Sequence, residues 1–229
     1  MQEQKKNDTE KSVGNLNRRK AIKKIVAGVG FALGCSVLPE KWTKPVVGQI
    51  VLPAHAETSG TPSTGTSKIV ALGDSIGARS PNWPTVVQSR SGIPVINYSR
   101  DSLKTGDFVG RINSILDSQN PSHLMILLGT NNARTGQVSS AISDLQAMAN
   151  AAIARNVTVI IGTIPPILTS SSHNGAAAKI SSGISGIGGI RVANVRSAMG
   201  SGSGLFNDGL HPNASGTSII ASAFLSQLS

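Results

Sequence analysis

Five short apolar runs constrain what this chain can fold into more than any other feature of its sequence. Each run is continuous rather than alternating, as is typical of a strand that is buried on both faces of a sheet. Helical patterns lie between the runs, so the sequence predicts a parallel sheet that is covered by helices on both sides. The runs are KIVAL (68–72), IPVINY (93–98), HLMILLG (123–129), VTVIIGT (157–163) and IRVANV (190–195).

The intervening helices are predicted from apolar residues spaced three and four positions apart. The clearest is 138–155, where Ala141, Leu145 and Met148 share one face. The remaining predicted helices are 83–90, 105–117, 176–187 and 215–228.

Polar residues follow each predicted strand. In a parallel sheet the ligand crevice lies beyond the carboxyl ends of the strands, so we expect these residues on one rim. They occur in the segments GDS (73–75), NYSRDS (97–102), GTNN (129–132), TIPPILTSSSHN (163–174) and SGSGLFNDGLHPN (201–213). Topology alone therefore brings serine, asparagine, aspartate and histidine to one edge.

The segment GDSIG places Ser75 directly after the first strand. Gly, Asp and Ser are common turn residues, so a turn without chemistry is one interpretation. GDSIG also satisfies the G-x-S-x-G pattern of α/β-hydrolases, but in those enzymes the serine lies mid-chain and its partners follow well apart. Here Ser75 ends the first strand, and Asp208 and His211 lie close together near the C-terminus.

Four segments, in order, resemble the sequence blocks of the SGNH (GDSL-type) hydrolases. They are ALGDSIG, VINYSRDS, LLGTNN and DGLHPN, and the resemblance covers residues 68–229. It implies an α/β fold of flavodoxin-like topology, with three α/β/α layers and a five-stranded parallel sheet. It also implies a carboxylic ester hydrolase that needs no metal and no organic cofactor.

The resemblance identifies Ser75 as the nucleophile, Asp208 and His211 as its triad partners, and Asn131 as an oxyanion donor. A neutral hydroxyl is a poor nucleophile, so His211 would accept the Ser75 proton and later deliver it to the leaving alcohol. Asp208 would hold the imidazole tautomer. The Ser75 backbone N–H and the Asn131 amide would donate to the oxyanion. Without catalysis, these residues are a solvated turn and a helix cap.

The second and third blocks depart from the family pattern. Ser102 stands where a glycine usually supplies the third oxyanion donor. Serine keeps the backbone N–H but lacks the conformational freedom of glycine, and Gly106 is the alternative donor. Asn132 stands where aspartate is more usual.

Several other side chains have weaker interpretations. Trp83 and Tyr98 are candidates for lining the acyl or alcohol pocket, with core packing as the alternative. His123 opens a predicted buried strand and is expected to be structural. His173 is expected to be a solvated loop residue after the fourth strand.

The N-terminal segment predicts export. Arg18 and Arg19 begin a basic stretch before the weakly apolar run 25–38, which suits a signal peptide and is short for a bilayer span. NRRKAIK resembles a twin-arginine signal, and an Ala-x-Ala site ends at Ala56. Lipidation at Cys35 and an uncleaved amphipathic anchor are the alternatives.

The sequence thus predicts an export signal (1–56), a flexible linker (57–67) and a hydrolase domain (68–229) that is periplasmic or extracellular. The net charge is +10. Residues 1–56 hold ten Lys/Arg and four Asp/Glu, whereas 57–229 hold eleven and seven, so most of the excess lies in the signal. With no basic run and few aromatics in the domain, nucleic-acid binding is excluded.

We expect a monomeric serine ester hydrolase that acts through an acyl-enzyme on small or short-acyl esters, and whose signal engages the export machinery. Scarce aromatics and short rim loops disfavour a long sugar-binding cleft. An acyltransferase or deacetylase of envelope sugars or lipids with the same triad is one alternative. A non-catalytic envelope-binding module on a decayed hydrolase scaffold is the other.

Overall fold

The computed structural model describes residues 67–228, and these residues contain a single parallel sheet. Its strands are β1 (Ile69–Gly73), β2 (Val95–Asn97), β3 (His123–Leu127), β4 (Thr158–Gly162) and β5 (Arg191–Ala193). The strand order is β2-β1-β3-β4-β5. The predicted α/β fold with a five-stranded parallel sheet is confirmed. The predicted signal and all but the last residue of the predicted linker lie outside the described residues.

Helices connect the strands and cover both faces of the sheet. They are α1 (Ser75–Ala78), α2 (Trp83–Ser91), α3 (Gly106–Val109), α4 (Ile112–Gln119), α5 (Thr130–Arg134), α6 (Val138–Ile153), α7 (Ser171–Ile184), α8 (Val195–Met199) and α9 (Ala214–Leu225). None of the helices within 67–228 is long and apolar enough to cross a bilayer.

The sheet has a hydrophobic core on each face. Alternate residues of a strand pack into opposite cores, because successive side chains point to opposite faces of the sheet. Val70 and Leu72 pack with the apolar faces of α4, α6 and α7. Ile69 and Ala71 pack with residues of α2, α8 and α9. All four side chains are fully buried, which explains why β1 appears in the sequence as a continuous apolar run.

The predicted helix over 105–117 is wrong in one respect, since the structure divides it into α3 and α4. The division falls at Gly110, a residue type that weakens helix interiors. The helix predicted over 176–187 begins earlier, at Ser171. The Ser170 side chain accepts a hydrogen bond from the backbone N–H of His173, which caps this earlier start.

Candidate active site

Three side chains from two distant parts of the chain meet at the carboxyl edge of the sheet. Ser75 begins α1 directly after β1, and Asp208 and His211 lie on the loop between α8 and α9. The Ser75 Oγ is 3.1 Å from the His211 Nε2, and the His211 Nδ1 is 2.6 Å from the Asp208 Oδ2. With Nδ1 protonated, the ring donates to the carboxylate and can accept from the serine hydroxyl. The structure therefore brings the three side chains within hydrogen-bond distance of one another, in the order Ser75, His211, Asp208.

A tight turn holds Asp208 and His211 in register. The Asp208 Oδ1 accepts the backbone N–H groups of Leu210 and His211 at 2.9 and 2.7 Å. Gly209 has φ 79°, a conformation that glycine adopts without strain. The hydrogen bond from the His211 ring, followed by these backbone donors, lowers the pKa of Asp208 well below its usual range. A carboxylate at this position is therefore ionised at neutral pH.

Asp74, the residue before Ser75, is buried and caps α1. Its Oδ1 accepts the backbone N–H of Ile76 at 2.9 Å. Its Oδ2 has no hydrogen-bond partner among the described residues. Burial raises the pKa of Asp74 to about 6. Ser75 is thus preceded by a carboxyl group whose ionisation is costly in the folded protein.

The loop after β2 passes close over the end of β1. The Arg100 backbone N–H donates to the Gly73 carbonyl, and a Cβ on Gly73 would lie 2.5 Å from the Ser99 Oγ. Farther along, Asp101 forms an ion pair with Arg79, the residue that caps the C-terminal end of α1. The loop that carries Ser102 is therefore anchored beside Ser75.

Ser102 has φ 64°, in the left-handed region that glycine favours. The position thus has the conformation expected for the usual glycine, although serine occupies it. The alternative donor, Gly106, is the first residue of α3. The backbone therefore supports the ungapped match that assigns Ser102, and not Gly106, to the second block.

Asn131 is the second residue of α5, which begins just beyond β3. Its Nδ2 donates to the Leu103 carbonyl at 3.0 Å. An amide nitrogen carries two hydrogens, so one remains for another acceptor. The neighbouring Asn132 is buried, and it accepts the Thr105 backbone N–H and donates to the Thr105 Oγ1, both at 3.1 Å. Both asparagines therefore join α5 to the loop that carries Ser102.

Two cavities open at this edge. The first, about 190 Å³, is lined by Ser75, Ile76, Arg79, Ser80, Pro81, Asn207, Asp208, His211 and Pro212. The second, about 280 Å³, is lined by Ser102, Lys104, Asn131, Arg134, Thr135 and His173, and is called the cationic cavity below. The first cavity holds the three predicted triad residues, and the second holds Ser102 and Asn131, two of the predicted oxyanion donors.

Of the two interpretations of Trp83 and Tyr98, the structure supports core packing and not pocket lining. Trp83 is fully buried and stacks on Phe224, with ring centroids 4.4 Å apart. Tyr98 packs on the core, and its hydroxyl accepts a hydrogen bond from the Gln119 Nε2 at 3.1 Å. Neither lines the two cavities at the carboxyl edge of the described sheet, because both rings are used in core packing.

The two histidines outside the triad differ in position. His123 begins β3 and lies 2.9 Å from the Ser122 Oγ through its Nδ1, in keeping with the structural role expected. The prediction that His173 lies on a loop is wrong. This residue lies in the first turn of α7, where it lines the cationic cavity. The ST-type cap at Ser170 is the sequence signal that could have placed it on a helix.

Arg196, in α8, fastens the segment between β4 and α7. Its guanidinium donates to the carbonyl oxygens of Ile164 and Pro165 and to the Asn174 side chain, the last at 2.7 Å. Asn174 follows His173 directly, so Arg196 fixes the start of α7 from the side of β5. Within 67–228, no group of three or more His, Cys, Asp or Glu side chains is placed to bind a metal ion.

Solved structures share this fold at low sequence identity. A lipolytic protein of the G-D-S-L family from Veillonella parvula has a TM-score of 0.63 and 18% identity, over 71% of this chain and 98% of its own. The lipase/acylhydrolase from Enterococcus faecalis has 0.63 and 22%, over 71% and 95%. A carbohydrate esterase family 3 protein from Talaromyces cellulolyticus has 0.61 and 22%, over 71% and 96%.

These likenesses concern the fold, and no curated protein sequence matches the chain significantly. The family model for GDSL-like lipases and acylhydrolases matches residues 71–219, a span that runs from β1 into α9 and includes Ser75, Asp208 and His211. With a parallel sheet of the same fold and most of its length matched, the chain belongs to the GDSL-like lipase/acylhydrolase family of hydrolases.

Proposed function

We propose that this protein is a serine ester hydrolase in which Ser75 attacks the ester carbonyl and carries the acyl group. The observation that supports this most directly is the continuous contact from the Ser75 hydroxyl through the His211 ring to the Asp208 carboxylate. A serine at hydrogen-bond distance from a base that is itself oriented by a third group has the arrangement that activates a hydroxyl.

The proposed reaction has two steps. In the first, the His211 Nε2 accepts the Ser75 proton as the Oγ bonds to the carbonyl carbon, and it then gives that proton to the leaving alcohol. In the second, water takes the place of the alcohol and the acid product leaves. Asp208 keeps the Nδ1 proton in place and stabilises the imidazolium that forms in each step.

The proposed oxyanion donors are three. They are the backbone N–H of Ser75 at the start of α1, the backbone N–H of Ser102, and the second amide hydrogen of Asn131. The Asn131 side chain is held by Leu103, and the Ser102 loop is held by the Arg79–Asp101 ion pair. Donors that are already oriented need no reorganisation as charge develops, and one such donor contributes roughly 3–4 kcal/mol.

The cavity at Ser75 favours small substrates. Its volume of about 190 Å³ suits a short acyl or alcohol group. Its lining is mixed, with Ile76, Pro81 and Pro212 beside polar and charged residues. A small or short-acyl ester is therefore the proposed substrate class, and acyl transfer to an alcohol other than water is the competing reaction.

The test is hydrolysis of 4-nitrophenyl esters of graded acyl length by residues 57–229. We expect a maximum at short acyl chains, and a Ser75→Ala variant whose kcat is lower by roughly 10⁴-fold. Ser89→Ala, an exposed serine on α2, is the matched control and should keep full activity. A fluorophosphonate should label Ser75. A Ser75→Ala variant as active as the parent would contradict the proposal.

A hydrolase and a transferase are distinguished by analysing the products in the presence of a competing alcohol.

We also propose that residues 1–56 direct export by a twin-arginine-type route, which places the enzyme in the periplasm or outside the cell. The support is the sequence pattern around Arg18 and Arg19 and the Ala-x-Ala site that ends at Ala56. The mass of the exported protein tests this. A mature chain that begins at Glu57 supports it, whereas a lipid-modified Cys35 favours the anchored form.

A further inference from the structure

We infer that the cationic cavity binds an anionic group, a carboxylate or a phosphate, on the ester substrate. The inference rests on the proposed function and narrows its substrate class. Lys104 and Arg134 contribute two permanent positive charges to the lining, and His173 adds an imidazole. None of the six lining residues is a carboxylate, so no negatively charged side chain lines the cavity.

The positive charges of the cationic cavity are not neutralised by the described part of the chain. Neither Lys104 nor Arg134 forms an ion pair with a carboxylate among residues 67–228. Each described carboxylate has another partner: three pair with Arg79, Arg155 and His211, and three accept hydrogen bonds from a backbone N–H or a hydroxyl. They are, in the same order, Asp101, Asp117 and Asp208, and then Asp74, Asp107 and Asp144. The backbone N–H that Asp107 accepts is that of Lys104, whose ammonium group has no carboxylate partner in this part of the chain.

The position of the cavity connects these charges to the reaction. Ser102 and Asn131 belong to its lining, and both are proposed oxyanion donors. The Arg134 Nη1 also lies 3.4 Å from the Asn131 Oδ1, as a donor to it. A substrate whose carbonyl oxygen reaches Ser102 and Asn131 therefore has Lys104 and Arg134 within the same cavity.

The shape of the lining separates this set from ordinary surface cations. Unpaired lysines and arginines on a convex face are usually only solvated. Here two cations and an imidazole surround a concavity of about 280 Å³, which holds an anionic group and a short linker. The guanidinium and ammonium donors match the oxygens of a carboxylate or a phosphate.

The test compares two pairs of esters that differ in charge. The mono-4-nitrophenyl ester of adipic acid places a carboxylate on the acyl side, and its methyl ester is the neutral partner. The compound 3-acetoxypropyl phosphate places the anion on the alcohol side, with 3-acetoxypropanol as its neutral partner. The quantity measured is the ratio of kcat/KM for the charged ester to that for the neutral ester.

We expect the parent to favour the charged ester of at least one pair by about ten-fold or more, since a hydrogen bond to a charged group contributes at least this much. Which pair shows the preference identifies the side of the substrate that carries the anion. Lys104→Met should lower that ratio about ten-fold, and Lys104→Glu should bring it below one. Raising the salt concentration should weaken the preference, because Arg134 is exposed and Lys104 is only half-buried.

Lys68→Met is the matched control, since Lys68 precedes β1 at the opposite end of the sheet, and its ratio should equal that of the parent. The inference is wrong if the parent hydrolyses the esters without preference in either pair, or if Lys104→Met keeps the preference. It is also wrong if a fluorophosphonate labels Ser75 and none of the four esters reacts, although the proposed nucleophile then stands. An unlabelled Ser75 together with no turnover overturns the proposed function itself.

Discussion

Asn132 and Thr105 are joined by two hydrogen bonds of 3.1 Å, one in each direction. The Asn132 Oδ1 accepts the Thr105 backbone N–H, and the Asn132 Nδ2 donates to the Thr105 Oγ1. The Thr105 hydroxyl uses its own hydrogen on the Asp144 Oδ2 at 2.7 Å, so it can only accept from residue 132. This position therefore needs an amide, which explains why asparagine stands where the family more often has aspartate.

Asn132→Asp should lower the free energy of unfolding by about 1–3 kcal/mol, because a buried carboxylate then faces an oxygen that has no hydrogen to give. Urea denaturation at neutral pH measures the change. Asn113→Asp, an exposed residue of α4, introduces the same charge and should shift stability by less than about 0.5 kcal/mol. Equal stability of Asn132→Asp and the parent would show that the donor role assigned to the amide is wrong.

Ser102 should tolerate glycine and reject a β-branched residue, since its φ of 64° lies in the left-handed region. We expect Ser102→Gly to fold and to keep kcat within about three-fold, because the backbone N–H toward the oxyanion remains. Ser102→Val should lose at least about ten-fold in kcat, because valine strains this conformation. Esterase kinetics on the substrate preferred by the parent check both outcomes. A fully active Ser102→Val variant would remove Ser102 from the oxyanion site.

Burial of Asp74 should make the protein less stable as the pH rises. The pKa of this carboxyl goes from an ordinary value of 3.8 when unfolded to about 6 when folded. Between these values the native state holds more protons than the unfolded state, so stability falls from about pH 4 to about pH 6 and stays lower above. Asp74→Asn keeps the acceptor for Ile76 without this cost.

We therefore expect Asp74→Asn to exceed the parent by about 1–3 kcal/mol at pH 7 and to approach it at pH 4. Denaturation curves at both pH values give the two differences. A gain of the same size at pH 4 and pH 7 would mean that ionisation of Asp74 is not its cause.

Asp208 should give the opposite dependence on pH. The His211 ring and the backbone donors of the turn lower the pKa of Asp208 in the folded protein. The ionised carboxylate therefore stabilises the folded state above the ordinary pKa range of a carboxyl group. This stabilisation is lost as the pH falls through and below that range. Asp208→Asn should make acid unfolding less steep below about pH 4. The same variant should lower kcat by roughly 10³-fold or more, since the histidine tautomer is no longer held. Acid titration followed by circular dichroism and ester kinetics provide the two measurements.

The sheet could be predicted from the sequence because its strands are buried on both faces, and burial appears directly as uninterrupted apolar runs such as the one around Val70 and Leu72. The rim residues followed from the same topology, since each run is succeeded by polar residues. Short helices were harder to predict. The four residues of α1 and the five of α5 have too little length for a periodic pattern, and their position depends on caps and on neighbouring loops.

The roles of individual side chains depended on packing that the sequence does not express. Trp83 could line a pocket or pack in the core as far as the sequence shows, and its ring stacks on Phe224 from the last helix. Lys104, Arg134 and His173 come from three separate segments and have no common motif. Their convergence became apparent only when the loop after β2, α5 and the start of α7 were placed side by side.

Arg196 links the segment after the last strand of the sheet to the start of α7. Because its guanidinium holds the carbonyl groups ahead of α7 and the Asn174 side chain, the placement of His173 is coupled to a residue at the far margin of the sheet. We expect a substitution of Arg196 to reposition one wall of the cationic cavity and to leave the triad in place, since Arg196 contacts neither Ser75 nor His211. Related chains could therefore differ in substrate preference through substitutions at the edge of the sheet, with the contacts among Ser75, His211 and Asp208 unchanged.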